Sequence, residues 1–499
     1  MANAFTAYGS VAVVLAMCLC ASFTPAAEPD LFREPNRPQF HYTPQKNWLN
    51  DPNGLVFHDG KWHLFHQYNP EGIESANKSW AHGVSRDLVH WEHLPLAIRY
   101  GDGIEIWSGG AVVDGDNTSG FGTKDNPPLV AFYTGAGHGN QAQYLAYSTD
   151  RGLTWTKFAE NPVIDESLRE FRDPKVFWHA PSKRWVMAVA LSDQRKVRFY
   201  GSGDLKTWKQ LSEFGGQGSV EGIWECPDLV PLTSGNKTHW VLIVSVGGGG
   251  PTKVGTAVQY FVGDFDGTTF HNANDKGTKL WADYGPDFYA PQTWSDVPKA
   301  DGRTVWIGWM STPRYAGDEP TKPWRGALTL PRELSLVETE RGPRLAQSPV
   351  RELSSLRGET LTEAQLTTAG QTLEIEATID LGTSTSFAVC EDDKSHTTIG
   401  YDAAKREVYV DRTRSRAGEP FHKDFFGRCA APIVSDAGGT IPLRVLVDRT
   451  SVEVYADNGL TVLTVNTFPD PVAVRLTPPP SGMKSFEVRR IKSIWNTKE

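Results

Sequence analysis

"SRDLVHW", residues 85–91, combines an aspartate in a turn with an aromatic ring four residues later. Three further stretches, STDRGLTW, SGDLKTW and GDFDGTTF, repeat this combination and end at Trp155, Trp208 and Phe270. The interval of about fifty to sixty residues is too long for one hairpin and is typical of one four-stranded propeller blade. Chance similarity between turns is the alternative, and four occurrences at comparable spacing weaken it. The sequence therefore predicts a β-propeller.

Short apolar runs bounded by Gly, Asp and Pro predict the strands of these blades. Helical periodicity is scarce along the chain, and the runs show the alternation that half-buried strands require. The clearest examples are KWHLFHQY (61–68), PLVAFYTG (128–135), RWVMAVAL (184–191), HWVLIVSV (239–246) and RTVWIGWM (303–310).

A change of pattern near residues 340–360 indicates a domain boundary, because the aromatic repeat stops there and charged residues dominate. Beyond it, QTLEIEATIDL, REVYVDRT and SVEVYAD alternate strictly, as the strands of a β-sandwich do. We therefore expect an all-β chain with a propeller at 28–345, a linker at 346–358 and a sandwich at 359–499.

The overall composition narrows the class of ligand. The 499 residues are 39% hydrophobic and 22% charged, which is typical of a globular protein. A net charge of -9 disfavours nucleic acid as a partner, since neutralising phosphates needs a basic face. The 17 Trp, 15 Tyr and 23 Phe suit stacking against sugars, although packing in an all-β core would also use them.

The N-terminal segment predicts secretion. The apolar run 11–23 is too short to span a bilayer comfortably, and small residues follow it, as at a signal-peptide cleavage site. We expect a signal peptide at 1–27, no membrane attachment after its removal, and an extracellular or periplasmic protein. Lipid attachment at Cys18 or Cys20 is the minor alternative, because Met17 and Leu19 precede them where a small residue is expected.

Removal of that leader would leave Cys226, Cys390 and Cys429. An odd number of this size excludes a disulfide-rich scaffold. A disulfide between Cys390 and Cys429 and buried free thiols remain equally open from the sequence.

Three acidic residues have unusual surroundings: Asp51 in WLNDPNG, Asp173 in FRDPKV and Glu225 in ECPDL. Each lies beside a proline, or one residue from it, at the edge of an apolar strand. Any one of them could simply be part of a turn. Successive blades, however, deliver equivalent positions to the same end of the propeller channel, so the three can converge. Glycosidic bond cleavage needs such a pair of carboxylates, one as nucleophile or base and one as acid.

These boxes resemble, in the same order, the signatures of family 32 of the glycoside hydrolases, which contains invertases, inulinases and levanases. HQYNP, SWAHGVSRDLVHWEHLP, VGDFDGTTF, WIGWM and PWRGALTLPRELSL extend the similarity over about residues 38–340. The fold expected on this basis is a five-bladed β-propeller followed by a C-terminal β-sandwich.

The resemblance implies a role for each acid. Asp51 would be the nucleophile, Glu225 the acid and base, and Asp173 the residue that holds the fructose hydroxyls, with Arg172 beside it. Other positions that match substrate-binding residues of the family are Asn50, Gln67, Trp80, Trp107 and Ser108. No cofactor is implied, and His66 and His82 lack the clustered spacing of a metal site.

Two local expectations accompany these roles. Amides of Asn50 and Asn53 would keep Asp51 ionised at neutral pH. Aromatic residues that line the pocket in many family members are replaced here by Ser75-Ala76 and by residues 312–314, so substrate preference cannot be transferred directly from those members.

The sequence therefore predicts a retaining β-fructosidase that releases terminal fructose from levan, inulin or sucrose through a covalent fructosyl-enzyme intermediate. The alternatives are an endo-acting levanase, a fructosyltransferase, or a carbohydrate-binding propeller without catalysis. The expected partner is a fructan or fructo-oligosaccharide, and the sequence leaves monomer and homodimer equally open.

Overall fold

The computed structural model describes residues 1, 31–435, 438–479 and 481–495. Apart from Met1, the predicted signal peptide lies outside these residues. Within the described ranges, the helices are short 3-10 turns at Ala180–Ser182, Ser192–Gln194, Ala316–Asp318, Arg351–Leu356, Glu363–Thr368 and Asp457–Gly459. None of them is long and apolar enough to cross a membrane.

Five antiparallel sheets form the five predicted blades. Blade 1 contains β1 (Asn47–His58), β2 (Lys61–Asn69), β3 (Ser79–Ser85) and β4 (Trp91–Ile98). Blade 2 contains β5 (Glu105–Val113), β6 (Leu129–Gly137), β7 (Asn140–Ser148), β8 (Thr156–Lys157) and β9 (Ile164–Leu168). Blade 3 contains β10 (Phe171–His179), β11 (Arg184–Leu191), β12 (Lys196–Ser202) and β13 (Lys209–Gly215).

Blade 4 contains β14 (Trp224–Ser234), β15 (Lys237–Val246), β16 (Ala257–Phe265), β17 (Phe270–Asn272) and β18 (Leu280–Trp281). Blade 5 contains β19 (Tyr289–Thr293), β20 (Thr304–Trp309), β22 (Arg332–Val337) and β23 (Arg344–Pro349). Between these, β21 (Trp324–Arg325) pairs in parallel with β1 and joins blade 5 to blade 1. The prediction of a five-bladed propeller is confirmed.

The repeated aspartate lies in the turn between the third and fourth strands of blades 1 to 4. Its carboxylate accepts backbone N–H groups of the turn, as Asp87 does from Val89 and His90 at 3.0 and 2.8 Å. Asp266 does the same with Thr268 and Thr269 at 2.7 and 2.8 Å. These bonds satisfy donors that the strand ladder leaves free, which is why the residue type recurs.

The aromatic ring that ends each repeat packs against the preceding blade. Trp155 of blade 2 meets Phe65 of blade 1 edge to face, with ring centroids 5.4 Å apart. Three further pairs follow the same rule around the ring: Trp208 with Phe132, Phe270 with Phe214, and Trp91 of blade 1 with Trp294, which follows β19 of blade 5. The repeat therefore marks the contacts that stack one blade on the next.

Two further sheets form the predicted sandwich. One has the order β24 (Arg357–Thr360), β34 (Met483–Ile491), β25 (Leu373–Asp380), β30 (Thr440–Asp448), β31 (Ser451–Ala456) and β32 (Thr461–Asn466). The other has the order β29 (Arg428–Pro432), β28 (Glu407–Asp411), β27 (Thr397–Asp402), β26 (Thr385–Glu391) and β33 (Arg475–Thr477). Their inward-facing residues, such as Ile375, Val454 and Ile399, share one buried core.

The segment predicted as a linker, 346–358, contains more regular structure than its charged sequence indicates. β23 of blade 5 continues to Pro349, the 3-10 helix Arg351–Leu356 follows, and β24 of the sandwich begins at Arg357. Leu353 and Leu356 are buried, so the helix packs onto the core while its polar residues face solvent.

Cys226, Cys390 and Cys429 are buried free thiols. Of the two possibilities that the sequence leaves open, the structure therefore has Cys390 and Cys429 unpaired.

Candidate active site

The innermost strand of every blade is interrupted by a β-bulge at an equivalent point. The register shifts lie between Leu49 and Pro52, Ile106 and Gly109, Arg172 and Lys175, Glu225 and Asp228, and Tyr289 and Gln292. A bulge places two residues opposite one and redirects side chains that the pleat would alternate between faces. Four of the five carry a proline, which lacks an N–H and is tolerated in a strand at such irregularities.

Three residues in these bulges have left-handed backbone conformations. Asp173, Cys226 and Ala290 have φ values of 66, 46 and 50°. Non-glycine residues adopt this region at a cost, and they persist there where the surrounding structure holds them. In Asp173 the hold is visible, because its N–H donates to Oγ1 of Thr134 at 2.8 Å.

Asp51 is half-buried and lies in the bulge of β1. Ser108 Oγ donates to its Oδ2 at 2.6 Å, and Gln67 Nε2 lies 3.5 Å from the same oxygen. Burial raises the pKa of Asp51, the hydrogen bonds from Ser108 and Asn50 oppose this, and the charge of Glu225 adds to it. The expected contribution of Asn53 is absent, because its Nδ2 has no hydrogen-bond partner among the described residues, while its Oδ1 accepts from the Gly109 N–H at 3.3 Å.

Asp173 is buried, and its carboxylate faces the bulge of β14. Its Oδ2 accepts the backbone N–H of Cys226 at 2.9 Å and lies 3.5 Å from the Cys226 sulfur. Burial raises the pKa of Asp173, the neighbouring Arg172 guanidinium lowers it, and the carboxylate of Glu225 raises it again. The net direction is upward.

Glu225 has a partner on each oxygen. Arg172 Nε donates to Oε1 at 3.1 Å, and Tyr289 Oη donates to Oε2 at 2.5 Å. Arg172 is 5% exposed and also binds Glu170 and Gln141. The guanidinium and the phenol therefore fix the orientation of the Glu225 side chain.

The thiol of Cys226 shows how closely the acids approach one another. Its Sγ lies 3.5 Å from Oδ2 of Asp173 and 3.8 Å from Oδ2 of Asp51. Burial and the nearby carboxylates raise the pKa of Cys226 well above its usual range, so the group is a neutral donor. The three predicted acids thus come from blades 1, 3 and 4 and meet at one end of the channel.

Most of the predicted substrate-binding residues lie around this cluster. Gln67 and Ser108 bind each other and Asp51, and Asn50 Oδ1 accepts from Trp48 Nε1 at 2.6 Å. Trp107 is half-buried, with its Nε1 bound to Glu105 at 2.9 Å and the ammonium of Lys78 5.3 Å from its ring centre.

The sugar contact predicted for Trp80 needs correction. Its side chain is 0% exposed and packs in the core between blades 1 and 2. Its Nε1 donates to the carbonyl of Trp107 at 3.0 Å, so it supports the strand that carries Trp107 and Ser108. A tryptophan between a serine and an alanine does not reveal from sequence which face of the sheet it occupies.

Tyr289, Thr134 and Cys226 are site residues that the sequence analysis did not identify. A signal for Tyr289 was present, because Tyr289-Ala290-Pro291 repeats the spacing of Glu225-Cys226-Pro227. Thr134 lies within an ordinary apolar strand and offers no such pattern. In the described parts of the chain, no group of three His, Cys, Asp or Glu side chains is arranged to hold a metal ion.

A propeller that directs three carboxylates into one end of its channel has the architecture of a glycoside hydrolase. The chain belongs to glycosyl hydrolase family 32: the family's N-terminal domain matches residues 41–349, and its C-terminal domain matches residues 343–490.

Individual relatives agree with this assignment. The chain is 43% identical to the levanase of Bacillus subtilis (strain 168), over 98% of this chain and 75% of that protein. It is 40% identical to the extracellular exo-inulinase of Aspergillus awamori, over 93% and 96% of the two chains. The crystal structure of exo-inulinase from Aspergillus awamori superposes with a TM-score of 0.86, 37% identity, and coverage of 93% and 100%.

Proposed function

We propose that the protein is a retaining β-fructosidase that removes terminal fructose from fructans, with sucrose as a further substrate. The levanase and the exo-inulinase to which it is similar support a fructan as the substrate class. The observation that carries the proposal is the convergence of Asp51, Asp173 and Glu225, each in different hydrogen-bonding surroundings.

In the first step, a carboxylate oxygen of Asp51 attacks the anomeric carbon of the terminal fructosyl unit. The bond to the leaving oxygen breaks as Glu225 donates its proton to that oxygen, so the remaining chain leaves as an alcohol. The products are a fructosyl ester on Asp51 and an ionised Glu225. Ser108 holds the attacking carboxylate in position from one side.

In the second step, the Glu225 carboxylate accepts a proton from water. The resulting hydroxide oxygen bonds to the anomeric carbon, and the Asp51 carboxylate leaves. Two displacements at one carbon retain its configuration. Arg172 and Tyr289 keep Glu225 on the leaving-group side through both steps.

Asp173 and Arg172 are assigned to binding rather than proton transfer. The Asp173 carboxylate would accept hydrogen bonds from fructose hydroxyls. These hydrogen bonds become stronger as positive charge develops on the sugar ring in the transition state. Asn50, Gln67, Trp107 and Ser108 are proposed to hold the same fructosyl unit, because they surround Asp51 or lie on its blade neighbour.

Product analysis tests this function. Purified protein is incubated separately with levan, inulin and sucrose, and the products are resolved over time. Free fructose as the sole early product from a fructan supports exo-hydrolysis. Oligosaccharides would indicate endo attack or transfer, and an absence of turnover on all three substrates would favour a binding propeller.

We further propose that the protein is secreted, with residues 1–27 as the signal peptide. The apolar segment 11–23 and the small residues after it support this, as does the extracellular exo-inulinase to which the chain is similar. The N-terminal sequence of protein recovered from culture medium tests the cleavage position.

A further inference from the structure

The sandwich contacts the propeller directly beside the strand that carries Tyr289. Residues 283–287, which lead into β19, lie along β32, the edge strand of the six-stranded sandwich sheet. The Tyr284 N–H donates to the Val462 carbonyl at 2.8 Å, and the Asp287 N–H to the Thr464 carbonyl at 3.3 Å. A propeller segment therefore continues the hydrogen bonding of a sandwich sheet.

The approach of these two segments is close enough to require glycine. A Cβ on Gly285 would lie 1.9 Å from the Thr464 carbonyl oxygen. From the other side, the Thr464 N–H donates to Oδ1 of Asp283 at 2.8 Å. The position of 283–287 is thus set by β32 and not only by the propeller.

Asp287 is the strongest of these anchors. Its Oδ2 accepts from Arg412 Nη1 and from the Asn466 N–H, both at 2.8 Å. Its Oδ1 accepts from the hydroxyl of Tyr315, and Arg412 Nη2 donates to that hydroxyl at 2.9 Å. Asp287 is 0% exposed and Arg412 3% exposed, so the ion pair is shielded from solvent. Three hydrogen-bond donors hold the Asp287 carboxylate in place.

Asp287 lies two residues before Tyr289, whose phenol binds Glu225. We propose that Arg412 is a positioning residue for catalysis: by fixing Asp287 it fixes the start of β19, and so holds Tyr289 where it orients Glu225. The sandwich then helps to orient the side chain of Glu225, and this role rests on the proposed function of Glu225 as the acid.

The test exploits the leaving group. Cleavage of a fructan or sucrose requires protonation of a poor leaving oxygen by Glu225, whereas a nitrophenyl β-fructoside releases nitrophenolate, which is stable enough to leave without protonation. The constant kcat/KM reports the first step alone. Arg412→Met is expected to lower kcat/KM for sucrose by roughly tenfold or more relative to kcat/KM for the aryl fructoside.

A matched control separates positioning from general damage at the interface. His41 is also buried between the domains, bound to Asp448 and Glu453 at 2.8 Å each, and is linked to the 283–289 segment through Glu453 and Arg332 at Asp283, not at Asp287. His41→Gln should change kcat/KM for both substrates by the same factor. Tyr315→Phe removes one hydrogen bond to Asp287 but leaves its counter-ion, Arg412, in place. This variant provides the same test if Arg412→Met does not fold.

A double-mutant cycle adds a second criterion. If Arg412 acts through Tyr289, the combined Arg412→Met and Tyr289→Phe variant loses little more sucrose selectivity than Tyr289→Phe alone. The inference would be overturned if the two substitutions multiplied their losses of sucrose selectivity in the combined variant. It would also be overturned if Arg412→Met lowered kcat/KM equally for both substrates. Glu225→Ala is measured alongside: if it does not discriminate between the substrates, the proposed function itself fails, whereas discrimination by Glu225→Ala alone rejects only the role of Arg412.

Discussion

At the residue scale, Trp224, Glu225 and Cys226 are chain neighbours with three different surroundings. Trp224 is buried with Phe214 and Phe261 in the core between blades 3 and 4. Glu225 is partly exposed to the channel, and Cys226 turns its thiol to Asp51 and Asp173. Strand alternation alone would place Trp224 and Cys226 together, so the bulge is what brings two consecutive polar groups into the site.

Tyr289→Phe tests the orientation of Glu225 directly. Glu225 becomes ionised as it gives up its proton in the first step, and a hydrogen bond to a charged group contributes about 1.5 to 3 kcal/mol, so we expect kcat/KM for sucrose to fall roughly tenfold to a hundredfold. The aryl fructoside should be affected less. Tyr401→Phe is the control, because its buried hydroxyl donates to the Leu381 carbonyl in the sandwich, at 3.3 Å, and has no other hydrogen-bond partner among the described residues. Equal losses in the two variants would refute the assignment.

Ser108→Ala tests the electrostatics of Asp51. The Ser108 hydroxyl stabilises the ionised carboxylate and so lowers the pKa of Asp51, against the raising effect of burial. Its removal should raise that pKa. Since attack requires the ionised form, the acid limb of the kcat/KM profile against pH should move to higher pH. An unshifted limb with lower activity throughout would instead assign Ser108 to sugar binding alone.

At the element scale, the bulges in the five inner strands direct side chains of every blade into one site. Each inner strand supplies one or two polar groups at its bulge, and the side chain differs from blade to blade. In order around the ring these are Asp51, Ser108, Asp173, Glu225 and Tyr289. The proline in four of them is readable in the sequence, because proline inside an apolar strand predicts an irregularity.

Thr134→Val tests the support of one bulge. The Thr134 hydroxyl accepts the N–H of Asp173 and donates to Oε1 of Gln143 at 3.0 Å. Its loss would leave both buried groups unsatisfied, at a cost of about 1 to 3 kcal/mol or more in the free energy of unfolding. We expect activity to fall as well, because Asp173 has a left-handed backbone that the bond helps to hold.

Thr397→Val is the matched control, measured by urea unfolding. Thr397 is equally buried, and its hydroxyl has no hydrogen-bond partner among the described residues. This substitution should be close to neutral. Similar destabilisation in the two variants would show that the two hydrogen bonds of the Thr134 hydroxyl contribute nothing specific.

At the scale of the whole molecule, charged groups buried between propeller and sandwich join the two domains. His41 lies between Asp448 and Glu453, and Arg332 binds both Glu453 and Asp283. Burial alone would lower the pKa of His41, but the hydrogen bonds to the two carboxylates raise it to about 9. The histidine is therefore a cation at neutral pH.

This site predicts a loss of stability in alkaline solution. The folded pKa of His41 lies above its ordinary value of 6.5, so the stabilisation is complete below 6.5 and lost as the pH rises through about 9. It amounts to about 3 kcal/mol. Urea unfolding of the native protein and of His41→Gln should give a difference in free energy that shrinks over this range. A difference that is constant with pH would contradict the ion pair.

The sequence predicts the fold better than it predicts the contacts of individual side chains. The aspartate turns and their aromatic rings mark blade edges because both are local in sequence, and strict alternation marks the sandwich. Trp80 and Asn53 have partners that depend on long-range packing, Trp107 in one case and Gly109 in the other. The same holds for Thr134 and for Arg412, whose roles arise only when separate blades or domains meet.

The central claim is that Asp51 attacks the sugar while Glu225 serves as acid and base. Glu225→Ala mixed with an activated aryl β-fructoside should form the ester but lack the base that hydrolyses it. Peptide mass spectrometry then measures the trapped adduct. The account predicts one fructosyl group on the tryptic peptide 47–61, which contains Asp51. An adduct on another peptide, or continued turnover of the aryl fructoside with none, would contradict it.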